Sequence, residues 1–158
     1  MNTVHLHLML THVPVLGTFF GLTLLGTAVL LRSSDVTRAG LATLVLSALS
    51  AIPAFLTGEG AEHAVEHLAG VGEKVIEAHE SAAGVALAAL ELAGALALAT
   101  LVLTRIGRAH RALVPATLVV ALVAGGLMGY TALLGGRIRH TEIRGAETAR
   151  GSATRQDD

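Results

Sequence analysis

Charged side chains divide the chain into four long stretches with almost no charge. None occurs in residues 1–31, 39–58 or 112–136, and residues 81–104 contain one, Glu91. About 20 apolar residues in a helix cross the roughly 30 Å hydrocarbon layer of a membrane. The pattern therefore predicts four membrane-spanning helices, near residues 9–31, 37–57, 80–104 and 112–135.

The connections between these spans indicate the fold class. The first pair of spans and the second pair are each joined by a short connection, which favours antiparallel neighbours. In the longer connection, Glu and His residues alternate with apolar ones at helical spacing. We therefore predict an all-α integral membrane protein, an up-down four-helix transmembrane bundle with a short amphipathic cap between spans two and three. Residues 1–144 form this single membrane domain, and the polar tail, residues 145–158, is predicted to be disordered or bound to a partner.

Composition supports this class and excludes others. The chain is 53% hydrophobic and 15% charged, with a mean hydropathy of +0.66, which is too apolar for a soluble domain of 158 residues. A net charge of −1 provides no basic surplus for binding nucleic acid. Because cysteine is absent, disulfides, iron–sulfur clusters and covalently attached haem are excluded. Histidine and carboxylate remain as cofactor ligands.

Two further patterns concern partners and orientation. Small residues lie four apart at Gly17 and Gly21, at Gly84 and Ala88, and at 125 and 129, a spacing typical of helices packed closely within a bundle or against other membrane subunits. Five arginines lie in the short connections, against one lysine in the long loop. The positive-inside rule then places the long loop and both termini outside the cytoplasm, although five arginines after the fourth span oppose this orientation.

Histidine is concentrated at one end of the predicted bundle. Antiparallel spans bring the start of spans one and three together with the end of spans two and four. Seven of the eight histidines fall at that end, His110 being the exception. Two interpretations remain open: a solvated histidine-rich cap, or a binding site for a metal or cofactor.

The binding interpretation predicts particular ligands. Spans one and three lie diagonally in an antiparallel bundle, so His12 and His79 could face each other across its core, as a bis-histidine haem b requires. Arg137 or Arg139 would then meet the haem propionates at the water boundary. Zinc, copper or iron is the alternative cofactor, and no cofactor is the third. The candidate cofactor ligands and contacts are His12, His79, His67, His140 and Arg139, and the candidate metal ligands are His12, His67, His79, His140 and Glu62.

Two other features suggest chemistry. The motif H-x-x-E-H, the inverted zincin pattern, is formed by His63, Glu66 and His67. It suggests a zinc enzyme, but a zinc enzyme ranks below an electron-transfer or structural subunit because no protease domain accompanies the motif. Glu91 lies about 16 Å into the third span, near the bilayer centre. A carboxyl group there is expected either to bond to one of three hydroxyls or to act as a proton relay or cofactor neighbour. The three candidate hydroxyls are those of Ser47, Ser50 and Tyr130.

Five segments carry a family resemblance: LTHVP (10–14), PAFLTGEGAE (53–62), VEHL (65–68), EAHE (77–80) and GGRIRHTEIR (135–144). They resemble a small, largely uncharacterised family of bacterial four-span inner-membrane proteins, which is loosely similar to haem-bearing four-helix membrane cytochromes. The resemblance implies a bacterial inner-membrane location. Its motifs match His12, Glu59, Glu62, His67, His79, Arg139, His140 and Glu142.

The leading functional hypothesis is a membrane subunit that binds haem b or a histidine-ligated metal near its external face and transfers electrons within a larger complex. The alternative is a cofactor-free structural or assembly subunit. Whether the chain is an enzyme stays open, and a subunit role is favoured over a stand-alone enzyme.

Overall fold

A computed structural model describes residues 2–65, 73–108 and 112–139. The described chain forms five helices: α1 (Thr3–Leu31), α2 (Ser34–Leu56), α3 (Gly58–Val65), α4 (Glu73–Arg105) and α5 (Leu113–Arg139). Four of them, all except α3, are long and apolar enough to cross a membrane. Each long helix covers its predicted span to within one residue, so the hydrophobic pattern predicted these elements correctly.

Local chemistry explains where the first two helices begin and end. The side chain of Asn2 accepts a hydrogen bond from the backbone N–H of His5, and Ser33 does the same for Val36. Such caps satisfy backbone donors that have no partner inside the helix. Arg32 adopts a left-handed conformation, with φ of 52°, and its N–H bonds to the carbonyl of Ala28. This single residue ends α1 and turns the chain into α2.

The four long helices form a bundle in which each contacts two neighbours. Helix α1 packs against α2 and α5, and α4 packs against the same two helices. Helices α1 and α4 therefore lie diagonally, as the topology predicts. The short helix α3 packs on α1 and α2 at the end of the bundle where α1 begins.

Small side chains allow the helices to approach closely. The core contains Leu25, Leu41, Leu44 and Leu90 together with many alanines. A Cβ on Gly40 would lie 3.0 Å from the backbone nitrogen of Leu25, and a Cβ on Gly94 would overlap the methyl group of Ala48. Van der Waals packing of this kind stabilises helix pairs without a hydrophobic driving force between them.

Large apolar side chains cover the outside of the bundle. They include Leu16, Leu30, Leu46, Leu56 and Val119, each at least 60% exposed. An apolar exterior of this extent is unfavourable in water and suits a lipid surface or a protein partner.

Candidate functional site: two histidines at one end of the bundle

Two histidines lie in line with the buried stripes of the diagonal helices α1 and α4. On α1 the buried residues Pro14, Thr18, Gly21, Leu25 and Ala28 repeat at alternating steps of four and three. On α4 the buried residues from Ile76 to Thr100 fit the same rhythm. Extending these stripes brings His7 and His79 into line, and both side chains are half-buried. The packing pattern of the bundle therefore points both imidazoles inward.

His7 is held by the end of α2. Its Nδ1 lies 3.0 Å from the carbonyl oxygen of Ala54 and 3.2 Å from the hydroxyl of Thr57. The Thr57 hydroxyl is itself within bonding distance of the carbonyls of Pro53 and Ala54, at 3.0 Å and 2.9 Å. Because that hydroxyl donates to a carbonyl, it accepts from His7. The Cε1 edge of the ring faces Gly58, where a Cβ would lie 3.6 Å away.

His79 is held in the same way by α5. Its Nδ1 lies 3.1 Å from the carbonyl oxygen of Thr131. Its Cε1 edge faces Gly135, where a Cβ would lie 3.0 Å away. In both cases the imidazole comes from the first helix of a hairpin. The second helix supplies the carbonyl acceptor. The glycine lies on that same helix for His79, whereas for His7 it is the first residue of α3.

These contacts determine which ring nitrogen carries the proton. A backbone carbonyl only accepts hydrogen bonds, so each Nδ1 must be the protonated donor. In a neutral imidazole the Nε2 atom then holds the lone pair. Histidine ligands of metals commonly have this arrangement, in which one nitrogen bonds to a carbonyl and the other binds the metal. Within the described chain, neither Nε2 atom has a hydrogen-bond partner.

The two imidazoles form one layer at the same end of the bundle. His7 and His79 belong to the diagonal helices α1 and α4, near the start of each. All four long helices contribute to this layer, because α2 and α5 provide the carbonyl acceptors. Each imidazole can present one nitrogen lone pair to a ligand at this end of the bundle.

The structure does not bring His12 to this layer. Its side chain is exposed, and its Nδ1 bonds to the carbonyl of Leu8 on its own helix. His5, Leu8 and Met9 line a shallow groove with His12 on the outer surface of α1. The histidine of α1 that lies on the buried stripe is therefore His7.

The other predicted ligands are distributed as follows. Glu62 is half-buried on α3. Arg139 is the last residue of α5, and its side chain is not described. His67, His140, Glu66 and Glu142 lie outside the described residues. Within residues 2–65, 73–108 and 112–139, no three His, Asp or Glu side chains converge as a metal site.

Glu91 lies half-buried near the middle of α4. Its Oε1 is inaccessible to solvent and has no hydrogen-bond partner in the part of the chain that the structure describes. None of the three candidate hydroxyls is its partner there. Ser47 and Ser50 donate to carbonyls of their own helix, and the side chain of Tyr130 is 54% exposed. The carboxyl group therefore retains an unsatisfied buried oxygen.

No family model, curated protein or solved structure matches the chain. The family resemblance seen in the sequence therefore remains a prediction.

Proposed function

We propose that this chain is a membrane subunit that binds haem b, or a histidine-ligated metal, between His7 and His79 and transfers electrons within a larger complex. The observation that carries the proposal is the matched pair of imidazoles on diagonal helices. Each holds its Nδ1–H on a carbonyl and leaves Nε2 available.

The length of α2 relates the histidine layer to the membrane. Its 23 residues extend about 34 Å at 1.5 Å per residue, slightly more than the hydrocarbon thickness. His7 bonds to Ala54 and Thr57, at the last turn of that helix. The layer then lies at one edge of the membrane, where a cofactor can exchange electrons with a partner in water.

The number of ligands favours haem over a non-haem metal. Zinc sites typically have at least three protein ligands. Haem iron needs at most two axial ligands from the protein, since the porphyrin supplies four equatorial nitrogens. Two imidazoles meet the haem requirement, whereas a zinc, copper or iron site would need further ligands, such as Glu62, His67 or His140. When bound, haem b would supply a one-electron couple between ferric and ferrous iron.

We further propose the orientation indicated by the arginines. Arg32, Arg38, Arg105 and Arg108 are exposed at the opposite end of the bundle. The positive-inside rule places that end in the cytoplasm of a bacterial inner membrane. The histidine layer and both termini would then face the periplasm or exterior, and the redox partner would be met there.

Absorption spectroscopy of the purified full-length protein in detergent tests the proposal. We expect a Soret band that shifts on reduction with dithionite. It should disappear in His7→Ala and in His79→Ala. His12→Ala is the matched control, because it removes an exposed imidazole from the same helix as His7, and it should keep the band. Circular dichroism establishes that each variant retains its helices.

Different results identify different failures. If His12→Ala removes the band and His7→Ala does not, the assignment of ligands is wrong. Stoichiometric zinc or copper without a Soret band, lost in His7→Ala, identifies the non-haem alternative. A folded wild-type protein free of haem and metal, which also fails to bind added hemin, zinc and copper, refutes cofactor binding and leaves the structural or assembly subunit as the remaining function.

A further inference from the structure

The two histidines occupy similar sockets, each made of a carbonyl oxygen of the neighbouring helix and a nearby glycine. His7 bonds to the carbonyl of Ala54 and lies against Gly58, and His79 bonds to the carbonyl of Thr131 and lies against Gly135. In each socket the glycine follows the carbonyl residue by four positions. Gly135 lies within α5, on the same helix as Thr131, whereas Gly58 lies beyond the end of α2 and begins α3.

Helix geometry explains why a glycine four residues later matters. Side chains on an α-helix lean toward its N-terminus and cover the preceding turn. A residue at this position thus covers the carbonyl of the residue four places earlier. On α5, Gly135 leaves the carbonyl of Thr131 accessible, so the His79 imidazole can donate a second hydrogen bond to it.

The two sockets differ in how tightly the glycine is contacted. A Cβ on Gly135 would lie 3.0 Å from Cε1 and 3.4 Å from Nδ1 of His79. A Cβ on Gly58 would lie 3.6 Å from Cε1 of His7, an ordinary van der Waals distance. His7 also has Thr57 as a second acceptor, whereas the position before Gly135 is Leu134. An added methyl group at Gly135 must therefore shift the His79 ring by a few tenths of an ångström, whereas one at Gly58 need not shift His7.

We propose that Gly135 is a positioning residue: it seats the His79 imidazole on the Thr131 carbonyl, which keeps the proton on Nδ1 and the lone pair on Nε2. The identity of the ligand that uses this lone pair rests on the proposed function. The position of the proton does not, because it is a property of the protein without cofactor.

Nitrogen NMR of the cofactor-free protein, labelled with ¹⁵N-histidine, measures the tautomer directly. The His79 signals are those lost in His79→Gln, and they are recorded at a pH at which the ring is neutral. We expect the Nδ1–H form in the wild type and loss of its predominance in Gly135→Ala. Gly58→Ala and Gly126→Ala should keep it, because the first adds an ordinary contact and the second adds none within 4 Å.

A hemin titration provides the second measurement. Loss of a contact that orients a metal ligand typically weakens binding 10- to 100-fold, so we expect Gly135→Ala to bind hemin at least about tenfold more weakly than Gly58→Ala.

The two measurements fail independently. A wild-type His79 protonated on Nε2, or a Gly135→Ala variant that retains the Nδ1–H form, overturns the positioning role. If Gly135→Ala does not fold, a wild-type His79 protonated on Nε2 is sufficient by itself to overturn the positioning role. If the tautomers behave as expected but hemin does not bind the wild type, the positioning role stands and the haem proposal fails.

Discussion

Exchange of one hydrogen for a methyl group at Gly94 tests how closely α2 and α4 pack. A Cβ at this position would overlap the Cβ of Ala48, whereas a Cβ at Gly84 on the same helix would meet nothing within 4 Å. The neighbour of Gly94 is a methyl group attached directly to a helix backbone, so it cannot rotate away. We therefore expect Gly94→Ala to force the two helices apart, and Gly84→Ala to leave them in place.

The two substitutions share every effect except this overlap. Replacement of glycine by alanine in a helix gains up to about 1 kcal/mol of helix propensity in each case. Overpacking a tightly packed interior costs about 1–3 kcal/mol. The free energy of unfolding should therefore be about 1–3 kcal/mol lower in Gly94→Ala than in Gly84→Ala, and the difference reports the overlap alone.

Unfolding in mixed micelles by increasing dodecyl sulfate, followed by circular dichroism, measures this difference. The double variant Ala48→Gly with Gly94→Ala moves the methyl group from α2 to α4, and it should recover most of the stability lost in Gly94→Ala. Equal stability of Gly94→Ala and Gly84→Ala would refute the close approach of the two helices. Failure of Ala48→Gly to rescue would show that the cost arises elsewhere.

Three further substitutions have defined outcomes in the same unfolding assay. Glu91→Met removes a buried oxygen that has no partner, so stability should rise by about 1 kcal/mol or more; a loss would show that the carboxyl group has a partner in the membrane. Arg32→Gly relieves a left-handed residue and should be neutral or stabilising by up to about 1 kcal/mol. Thr117→Val removes the 3.3 Å contact with the Thr100 hydroxyl and should cost no more than about 1.5 kcal/mol; a larger loss would contradict an ordinary hydrogen bond.

Hydrophobic patterning predicted the helices well because a long apolar stretch has few alternatives. Such a stretch hides its backbone polar groups most readily as a helix. The diagonal relation of α1 and α4 also follows from the connections. The helix ends are less accurate: α1 begins at Thr3 and α4 at Glu73, six and seven residues before the predicted spans. The change from polar to apolar residues indicates where the chain enters lipid. A helix, however, continues into water when its caps and packing allow.

His7, and not His12, lies on the buried stripe of α1, because depth along a helix and direction around it are separate questions. Five residues separate His7 from His12, and at 100° per residue they differ in direction by about 140°. The periodic stripe through Pro14, Thr18 and Gly21 could have distinguished them, since it passes through His7 and not through His12. The glycine sockets were not foreseeable in this way, because the contact between His79 and Gly135 joins residues on different helices.

The chain separation between each histidine and its carbonyl acceptor explains why both imidazoles lie at the same end of the bundle. His7 and its carbonyl acceptor are 47 residues apart, and His79 and its acceptor are 52 residues apart. The connection within the first hairpin has two residues, 32 and 33, and that within the second has seven, 106–112. The separations and the connections thus differ by the same five residues, so the two hairpins contain equal lengths of helix between imidazole and carbonyl. The length is divided differently within each hairpin, since α1 and α4 contribute 25 and 27 residues to it, and α2 and α5 contribute 21 and 19. The equal total nevertheless returns each hairpin to the end of the bundle at which it starts, so each imidazole meets a carbonyl of its second helix there.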